Sequence, residues 1–280
     1  MKIIDRPVYS KRIKPFIGKG IIKVLTGQRR VGKSYIMMQL MEDIRKENAD
    51  ANIIYINMEH EEFRMIRNED DLFAYLKDKI IEGGDNYLFI DEIQDIEGFE
   101  HVLRSLQAKE SCDIFCTGSN ARMLSGELST FLSGRYIEFH IHSLSYTEFL
   151  VFHQLPDNNQ SLLLYLTYGG MPYLSKLALT DELAFEYLRN VYATILLKDV
   201  VKREGIRNVD FLETLALYAA DNVGNLFSAN NISKYLKSQR VDISTTQVIN
   251  YLKALGNAYL INKIGRVDVN GLKKFEIGDK

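Results

Sequence analysis

The chain has 280 residues, of which 46% are hydrophobic and 26% are charged, and its formal net charge is −2. This composition is typical of a globular protein with one large domain or two modest ones, and the sequence contains no internal repeat or low-complexity tract. The longest uncharged stretch, residues 158–175, contains two glycines and a proline, which makes it a poor membrane span, and residues 1–12 lack the apolar stretch of a signal peptide. We therefore expect a cytoplasmic protein with no membrane partner.

Five short apolar runs predict strands that are buried on both faces of a sheet. They are residues 21–25, 53–56, 87–90, 112–116 and 136–141. Residues 34–46 and 70–81 carry apolar side chains at helical spacing, so the strands alternate with helices. This alternation predicts an α/β fold with a parallel five-stranded sheet and helices on both faces. Cys112 and Cys116 lie in one predicted strand, too far apart for a disulfide, and are expected to be reduced core residues.

Beyond about residue 143 the strand pattern gives way to helical periodicity. The predicted helices are residues 145–153, 160–168, 181–203 and 210–221. The helix-like segment "NISKYLKSQ" then precedes Ser244 and Gln247, which form a capping box at the start of a helix over about 244–258. Two strand-like pieces, "LINKIG" and "KKFEI", follow with Asn270-Gly271 between them as a turn signal. Three helices and a hairpin in this order predict a winged helix.

The segment "GQRRVGKS", from Gly27 to Ser34, matches the pattern G-x-x-x-x-G-K-[ST] between a predicted buried strand and the start of a helix. Glycines let backbone N–H groups approach a chain of phosphates, and the helix dipole adds to their attraction. We expect Lys33 to reach the β- and γ-phosphates and the Ser34 hydroxyl to ligate Mg²⁺. The residues expected to contact the nucleotide are Gly27, Gln28, Arg29, Arg30, Val31, Gly32, Lys33, Ser34 and Tyr35. A chance match in a loop is the competing interpretation.

The segment "YLFIDEIQ" places two adjacent carboxylates after four apolar residues, as at the end of a buried strand that faces a ligand. Asp91 is expected to bind Mg²⁺ through water. Glu92 is expected to act as the general base that polarises the attacking water. Alternatively, both are surface acids at the end of a strand.

A third polar cluster follows the strand in "CDIFCTGSN". Ser119 or Asn120 is expected to contact the γ-phosphate or the attacking water, unless one of them merely caps a helix at 121–128. Asn57 follows another strand, where it either holds Glu92 in an unproductive position or makes ordinary turn contacts.

Several further segments, taken together and in order, carry a family resemblance. They are "GQRRVGKS", "LFIDEIQ", "TGSNARML", "LSGRYIEFHIHSLSYTEF", "YGGMPYL" and "ILLKDVVKREGI". Over about residues 1–280 the chain resembles a prokaryotic family of AAA-type ATP-binding proteins, similar to the archaeal ATPases that border the STAND signalling NTPases. The resemblance implies a sheet of order 5-1-4-3-2, a helical lid and a winged helix. It divides the chain into a P-loop ATPase core at 1–143, a lid at 144–207 and a winged-helix domain at 208–280.

The same resemblance implies roles for residues outside the phosphate-loop pattern. Arg135 matches the arginine that acts as a finger on a γ-phosphate, either within one chain or from a neighbouring copy in a homo-oligomer. The Gly-Gly-Met-Pro motif that ends at Pro172 matches a lid motif over the base, while Arg6, Pro7 and Tyr9 match a segment near the adenine. Taken alone, Arg135 reads as a surface ion pair and the motif as a helix break.

Members of this family commonly continue into a nuclease-like domain, whereas this sequence stops within the predicted wing, so no nuclease activity is expected of it. His140 and His142 would share one strand face, but no third ligand lies nearby, and a structural role is expected. Asp199 and Arg203, at i and i+4, read as a pair on one helix face.

The end of the chain is locally basic, because residues 228–280 contain 9 Lys and Arg against 4 Asp and Glu. A winged helix can read DNA with its third helix, or it can dock a protein. Candidate DNA contacts on that helix and around the wing are Gln247, Asn250, Lys253, Asn257, Lys263, Arg266, Lys273 and Lys274. The modest charge leaves both partner classes open.

Other nucleotide-binding classes fit less well. A helicase would need a second strand–helix array, and a small-molecule kinase would not need Glu92 beside Asp91. The chain has no Asn-Lys-x-Asp guanine reader at the corresponding place, so ATP is favoured over GTP. We therefore expect an ATP- and ADP-binding, Mg²⁺-dependent ATPase that acts as a switch; the alternative is a nucleotide-dependent DNA-binding regulator with little hydrolysis.

Overall fold

The computed structural model describes residues 4–121, 132–225, 228–238 and 243–264. The chain forms two compact units, Met1–Arg189 and Asn190–Lys280. The finer division predicted at 143/144 and 207/208 remains a prediction.

A five-stranded sheet forms the centre of the first unit. Its strands are β1 (Ile22–Thr26), β2 (Asn52–Asn57), β3 (Asn86–Asp91), β4 (Asp113–Gly118) and β5 (Tyr136–His140). They lie in the order β2-β3-β4-β1-β5, and all four neighbouring pairs are parallel. The predicted order 5-1-4-3-2 and the α/β class are therefore confirmed, and β4 lies between the two motif strands β1 and β3.

Seven α-helices of the described residues begin in the first unit. They are α1 (Pro7–Ile13), α2 (Lys33–Glu47), α3 (Glu69–Lys77), α4 (Phe99–Ala108), α5 (Tyr146–His153), α6 (Asn159–Tyr168) and α7 (Asp181–Thr194). Neither α1 nor α4 was predicted from the sequence. The buried residues Phe99, Val102, Leu103 and Leu106 give α4 a clear i, i+3, i+4, i+7 stripe that could have identified it. Proline at the first helical position is the corresponding signal for α1.

The helix predicted at 70–81 ends four residues early, at Lys77. The cause lies in the turn that follows. The Asn86 amide donates to the carbonyls of Ile81 and Gly84, and its carbonyl oxygen accepts from the Ile81 N–H. These contacts satisfy backbone groups in a turn, so the chain leaves the helix before entering β3.

An apolar core covers the sheet, and it encloses a charged side chain near the amino end of β1. Ile22, Val24, Ile56, Leu88 and Ile90 of the strands belong to one cluster of buried apolar residues. Lys23, the second residue of β1, is fully buried, pairs with Asp113 of β4 and lies 4.2 Å from the centre of the Phe115 ring. Burial lowers the pKa of Lys23, while Asp113 acts to raise it.

Cys112 and Cys116 are free thiols, as predicted. Burial raises the pKa of Cys112 to about 11 and that of Cys116 to about 12, so both stay protonated and unreactive at neutral pH. Among the described residues, no helix has both the length and the apolar content needed to cross a bilayer.

The second unit is helical in its described part. The helix predicted at 181–203 continues from α7 into a π-helical segment, Ile195–Lys202, in which buried Asp199 pairs with Arg203 at 3.3 Å, as predicted. The helices α8 (Val209–Asp221), α9 (Ala229–Ser238) and α10 (Thr245–Asn257) follow.

These last three helices share an apolar cluster of Phe211, Leu215, Ile232, Ile243 and Val248. The predicted capping box is present at the start of α10, where Ser244 and Gln247 satisfy each other's backbone N–H groups. Three helices in this order agree with a winged helix. The predicted wing, with Arg266, Lys273 and Lys274, lies outside the described residues, so the winged helix stays a prediction.

Candidate functional site

The phosphate-loop segment, residues 27–34, connects the end of β1 to the start of α2. Gly27 has φ 140°, and a Cβ there would lie 2.2 Å from the Ile141 carbonyl oxygen. Gly32 has φ 98° immediately before the first residue of α2. Both glycines are therefore required by the backbone, as the sequence pattern predicts.

Lys33 begins α2 and is almost fully buried. Its Nζ donates to the carbonyls of Gly27 and Gln28 at 3.0 and 3.1 Å. The same atom lies 3.8 Å from Oε1 of Glu92. The ammonium group therefore lies between the loop backbone and the carboxylate predicted to be the base.

Asp91 ends β3 and is 1% exposed. Thr117 and Ser34 donate hydrogen bonds to its carboxylate, and the Tyr55 hydroxyl donates at 3.4 Å. Burial raises the pKa of Asp91, and the Ser34 and Thr117 hydroxyls act against that rise.

These groups can be tested as a magnesium site by their chemistry. The Asp91 carboxylate and the Ser34 hydroxyl are hard oxygen donors in direct contact, which is the ligand type that Mg²⁺ prefers alongside phosphate oxygens and water. The described residues contain no group of three or more His, Cys, Asp or Glu that would hold a metal without a nucleotide. The residues therefore fit a magnesium ion that binds together with phosphates.

Glu92 follows Asp91 in a left-handed conformation, with φ 57°. Its N–H donates to Thr117 Oγ1 at 2.9 Å, and this contact supports the unusual backbone. The carboxylate accepts from Ser119 Oγ at 3.0 Å and from the Gln94 amide. Burial acts to raise the pKa of Glu92, but Lys33, Gln94, Arg29 and Ser119 outweigh it and leave the pKa below its usual value. Glu92 is therefore held as a carboxylate.

The polar residues predicted after β4 are buried at the same edge of the sheet. Ser119 is 1% exposed and Asn120 is 5% exposed. Ser119 contacts the carboxylate of Glu92, while the helix that it or Asn120 was alternatively predicted to cap lies outside the described residues. Asn57 makes the turn contacts that were one of its two predicted roles: its Oδ1 accepts from the Glu59 N–H, and its amide donates to the Tyr55 hydroxyl.

A cavity of about 350 Å³ opens beside the loop. Its polar lining includes Arg29, Lys33, Ser34, Asn57 and Glu92. Its aromatic and apolar lining includes Ile4, Tyr35, Phe152, Pro172, Tyr173 and Tyr187. Polar groups and aromatic rings in one cavity are the combination expected of a site for a nucleotide.

The aromatic lining of the cavity contains a stacked pair that sequence reasoning missed. The rings of Tyr173 and Tyr187 stack with centroids 5.0 Å apart. The Tyr187 hydroxyl is buried and has no hydrogen-bond partner within the described part of the chain. Tyr173 directly follows Pro172 of the lid motif, which is a signal that could have identified it. Tyr187 has no such local signal.

Arg6 was predicted to lie near the adenine, and it does line the cavity. Its guanidinium, however, is bound to the protein: it pairs with Glu148 at 2.8 Å and donates to the carbonyls of Val31 and His142. Arg6 thereby ties the N-terminal segment to the phosphate loop and to α5. The neighbouring Tyr9 hydroxyl accepts from the His142 N–H at 3.0 Å.

Pro7 and Arg135 are predicted site residues that lie away from the cavity. Pro7 is exposed at the start of α1 and is not among the described residues that line the cavity. Arg135 is exposed immediately before β5, where its carbonyl accepts from the Ile22 N–H at the start of β1. The phosphate loop follows the opposite end of β1, roughly 15 Å away at ~3.3 Å per residue. This separation favours the alternative in which Arg135 acts on a nucleotide of a neighbouring copy, and both alternatives stay predictions.

His140 and His142 lie at the end of β5, with ring centroids 4.4 Å apart. Burial, the charge of His142 and the charge of Lys33 lower the pKa of His140 to about 4. His140 is therefore neutral at neutral pH.

Two protein-family models together match most of the chain. An AAA domain matches residues 19–150, and a domain of unknown function (DUF8612) matches residues 159–279. An uncharacterized protein of Haemophilus influenzae is 36% identical over 278 residues, which are 96% of this chain and 68% of that protein. The chain belongs to the AAA-type P-loop ATPase family. Another relative in the comparison, an uncharacterized protein of Methanocaldococcus jannaschii, is 32% identical over 93% of this chain and 59% of that protein.

Solved structures resemble this AAA protein more distantly. The Aeropyrum pernix ORC1 protein in complex with DNA is 12% identical, with a TM-score of 0.43 over 99% of this chain and 89% of that one. AMPPCP-bound DnaA from Aquifex aeolicus is 16% identical, with a TM-score of 0.42 over 91% and 89%. Likenesses of this size carry no argument about function.

Proposed function

We propose that the protein binds ATP with Mg²⁺ and hydrolyses it, and that the bound nucleotide switches the protein between two states. The observation that carries the proposal is the convergence of Lys33, Asp91 and Glu92 on one edge of the sheet beside the cavity. A buried ammonium and two carboxylates in different environments match what phosphoryl transfer to water requires.

The phosphates would lie against the loop backbone, with the start of α2 directed at them. Backbone N–H groups at a helix start and the Lys33 ammonium attract an anion. Lys33 now donates to two loop carbonyls, and these contacts can be exchanged for phosphate oxygens without moving the backbone.

The Ser34 hydroxyl and the Asp91 carboxylate would hold the magnesium ion, which when bound supplies charge neutralisation to the phosphate oxygens. Asp91 must then be ionised. The Ser34 and Thr117 hydroxyls favour the ionised form, burial still leaves the pKa of Asp91 raised, and the positive charge of the ion would favour ionisation further.

Glu92 would take the proton from water as the oxygen attacks the γ-phosphorus. The bond to the leaving oxygen of ADP breaks, and the products are ADP and inorganic phosphate. The Lys33 charge nearby keeps Glu92 ionised and ready to accept the proton. Ser119 and Gln94 fix the position of the carboxylate.

The base would lie against the aromatic lining of the cavity, which includes Tyr35, Phe152 and the stacked pair Tyr173 and Tyr187. Aromatic faces favour a flat base, and the unpartnered Tyr187 hydroxyl would gain a hydrogen bond from it or from the ribose.

The test compares wild-type protein with two variants by calorimetry and by phosphate release. Lys33→Ala removes the ammonium and is expected to abolish ATP binding. Glu92→Gln keeps the shape but cannot accept a proton, so it is expected to bind ATP while turnover falls by about 10²-fold or more.

Lys46→Ala is the matched control, because Lys46 lies on the exposed face of the same helix α2. It should bind and hydrolyse ATP as the wild type does. Undiminished turnover in Glu92→Gln would reject Glu92 as the base, and a wild type that binds no ATP at millimolar concentration would reject the function.

DNA binding by the second unit remains the alternative function, supported by the basic balance of residues 228–280. Two candidate contacts on α10 have partners in the protein: Gln247 closes the capping box and Asn257 donates to Glu204 at 3.0 Å. Asn250 and Lys253 are exposed. If DNA is a partner, its affinity should fall steeply with salt; salt-independent binding would favour a protein partner.

An arginine finger from a second copy is a further proposal, since Arg135 is exposed and far from its own chain's loop. It requires ATP to promote self-association. Sedimentation with and without ATP tests this: a monomer in both conditions with normal turnover would reject it.

A further inference from the structure

Arg29 lies in the middle of the phosphate loop, yet its side chain is only 13% exposed. Its Nη1 atom lies 3.2 Å from Oε1 of Glu59, a residue just beyond the end of β2. Glu59 itself is 59% exposed at its side chain. A largely enclosed arginine of the phosphate loop is thus paired with a carboxylate that faces solvent.

The position of Arg29 relates it to the reacting end of the proposed nucleotide. Arg29, Lys33, Asn57, Glu59 and Glu92 line the same cavity. The Arg29 charge also contributes to lowering the pKa of Glu92, so its field reaches the carboxylate proposed as the base. A γ-phosphoryl group between Lys33 and Glu92 would therefore lie within the influence of the guanidinium.

We propose that Arg29 leaves Glu59 and contacts the γ-phosphoryl group during hydrolysis, so that the chain supplies its own arginine to the transition state. This inference rests on the proposed ATPase function. Water forms the new bond to phosphorus, the bond to ADP breaks, and Glu92 receives the proton. Arg29 donates N–H groups to the equatorial oxygens, where negative charge accumulates, and forms no covalent bond.

The exchange of partners follows from the strengths of the two contacts. An ion pair whose carboxylate is mostly exposed is screened by water and contributes little. A phosphoryl group carries more charge and offers two oxygens to the planar guanidinium, which suits arginine in particular. Glu59 therefore helps to hold Arg29 beside the site until the γ-phosphate replaces it as a partner of the guanidinium. We call this role of Glu59 the latch.

Two other arginines compete with Arg29 for this role. Arg30 lines the same cavity but has φ 69° and is exposed. Arg135 lies at the other end of the sheet. Variants of these two residues test the competing assignments, one within the same loop and one from a neighbouring copy.

The experiment measures phosphate release under single-turnover conditions and the affinities for ADP and ATP. Arg29→Ala is expected to lower the rate by roughly 10²-fold or more, while ADP affinity and the unfolding midpoint stay within error, because ADP lacks the γ-phosphoryl group. Arg29→Lys keeps the charge without the planar fork and should recover only part of the rate. Arg30→Ala should lower the rate less than Arg29→Ala does, and Lys46→Ala on the exposed face of α2 should leave it unchanged.

Glu59→Gln tests the latch independently of any effect of Arg29 on folding. Loss of the competing carboxylate should raise ATP affinity about two- to fivefold with no change for ADP. Equal effects on both nucleotides would overturn the latch.

The failures of the two proposals are distinguishable. A wild type that does not hydrolyse ATP overturns the proposed function. Normal hydrolysis with an unchanged rate in Arg29→Ala overturns only this inference, and a large rate loss in Arg135→Ala alone would assign the role to the neighbouring copy instead.

Discussion

The two ends of the central sheet each bury a lysine beside a carboxylate, but with opposite consequences. At the amino end, Lys23 pairs with Asp113 and packs on Phe115, and its charge is fully enclosed by protein. At the carboxyl end, Lys33 lies 3.8 Å from Glu92 and both residues line a cavity. Burial alone therefore does not indicate function. What distinguishes the two pairs is whether a ligand can reach the charges and change their partners.

The largest expected effect on stability comes from breaking the enclosed pair. Lys23→Ala leaves Asp113 without its partner, and such a change typically costs about 3–5 kcal/mol of folding free energy. Urea unfolding measures it. The double variant Lys23→Met, Asp113→Asn removes both charges and should recover most of the loss. A single-variant loss below about 1 kcal/mol would place this pair among weak surface ion pairs.

A smaller effect, on ATP affinity, is expected from a change in the aromatic lining of the cavity. Tyr187→Phe keeps the ring and its stacking but removes the unpartnered hydroxyl. Loss of one hydrogen bond to the ligand should weaken ATP binding about two- to tenfold without lowering stability.

Tyr173→Phe is the control for this change, since it removes a hydroxyl from the more exposed ring of the same stacked pair. Equal affinity for ATP in the wild type and Tyr187→Phe would show that the hydroxyl does not contact the nucleotide.

The smallest effect is a pH dependence of the unfolding free energy that arises from His140, at the carboxyl end of the sheet. The pKa of His140 is lowered from its usual value of about 6.5 to about 4 in the folded protein. As the pH falls, His140 therefore takes up a proton in the unfolded chain at a higher pH than in the folded protein, and this stabilises the unfolded chain. The contribution of His140 to stability should be complete above about pH 6.5 and decline between there and about pH 4.

The measurement is the difference in unfolding free energy between wild type and His140→Gln across that range, since carboxylates titrate in both proteins. Lys33→Ala should raise the pKa of His140 by removing one of the charges that lower it. A difference that is independent of pH would contradict the assignment.

The strands, the phosphate loop and the acidic pair could be predicted because their signals are local. Each signal is contained in a few consecutive residues: the apolar runs, the loop with Gly27 and Gly32, and the Asp91-Glu92 dipeptide. The order of the strands came from the family resemblance, which short-range patterns do not contain. Parallel pairing then brought the ends of β1, β3 and β4 to one edge, as expected for such sheets.

The features that the sequence does not show depend on distant contacts. Arg6 was predicted to lie near the adenine and does line the cavity, but its contact with Glu148, 142 residues away in the sequence, carries no local signal. Tyr187 joins the cavity from α7, and no nearby pattern marks it. The placement of Arg135 in its own chain could not be judged until the register of β1 and β5 was known.

The contacts of Arg6 couple three separate parts of the chain around the site. One guanidinium binds the backbone carbonyls of Val31 and His142 and the carboxylate of Glu148 in α5. A displacement of α5 would therefore be transmitted through this one side chain to the loop that would cradle the phosphates.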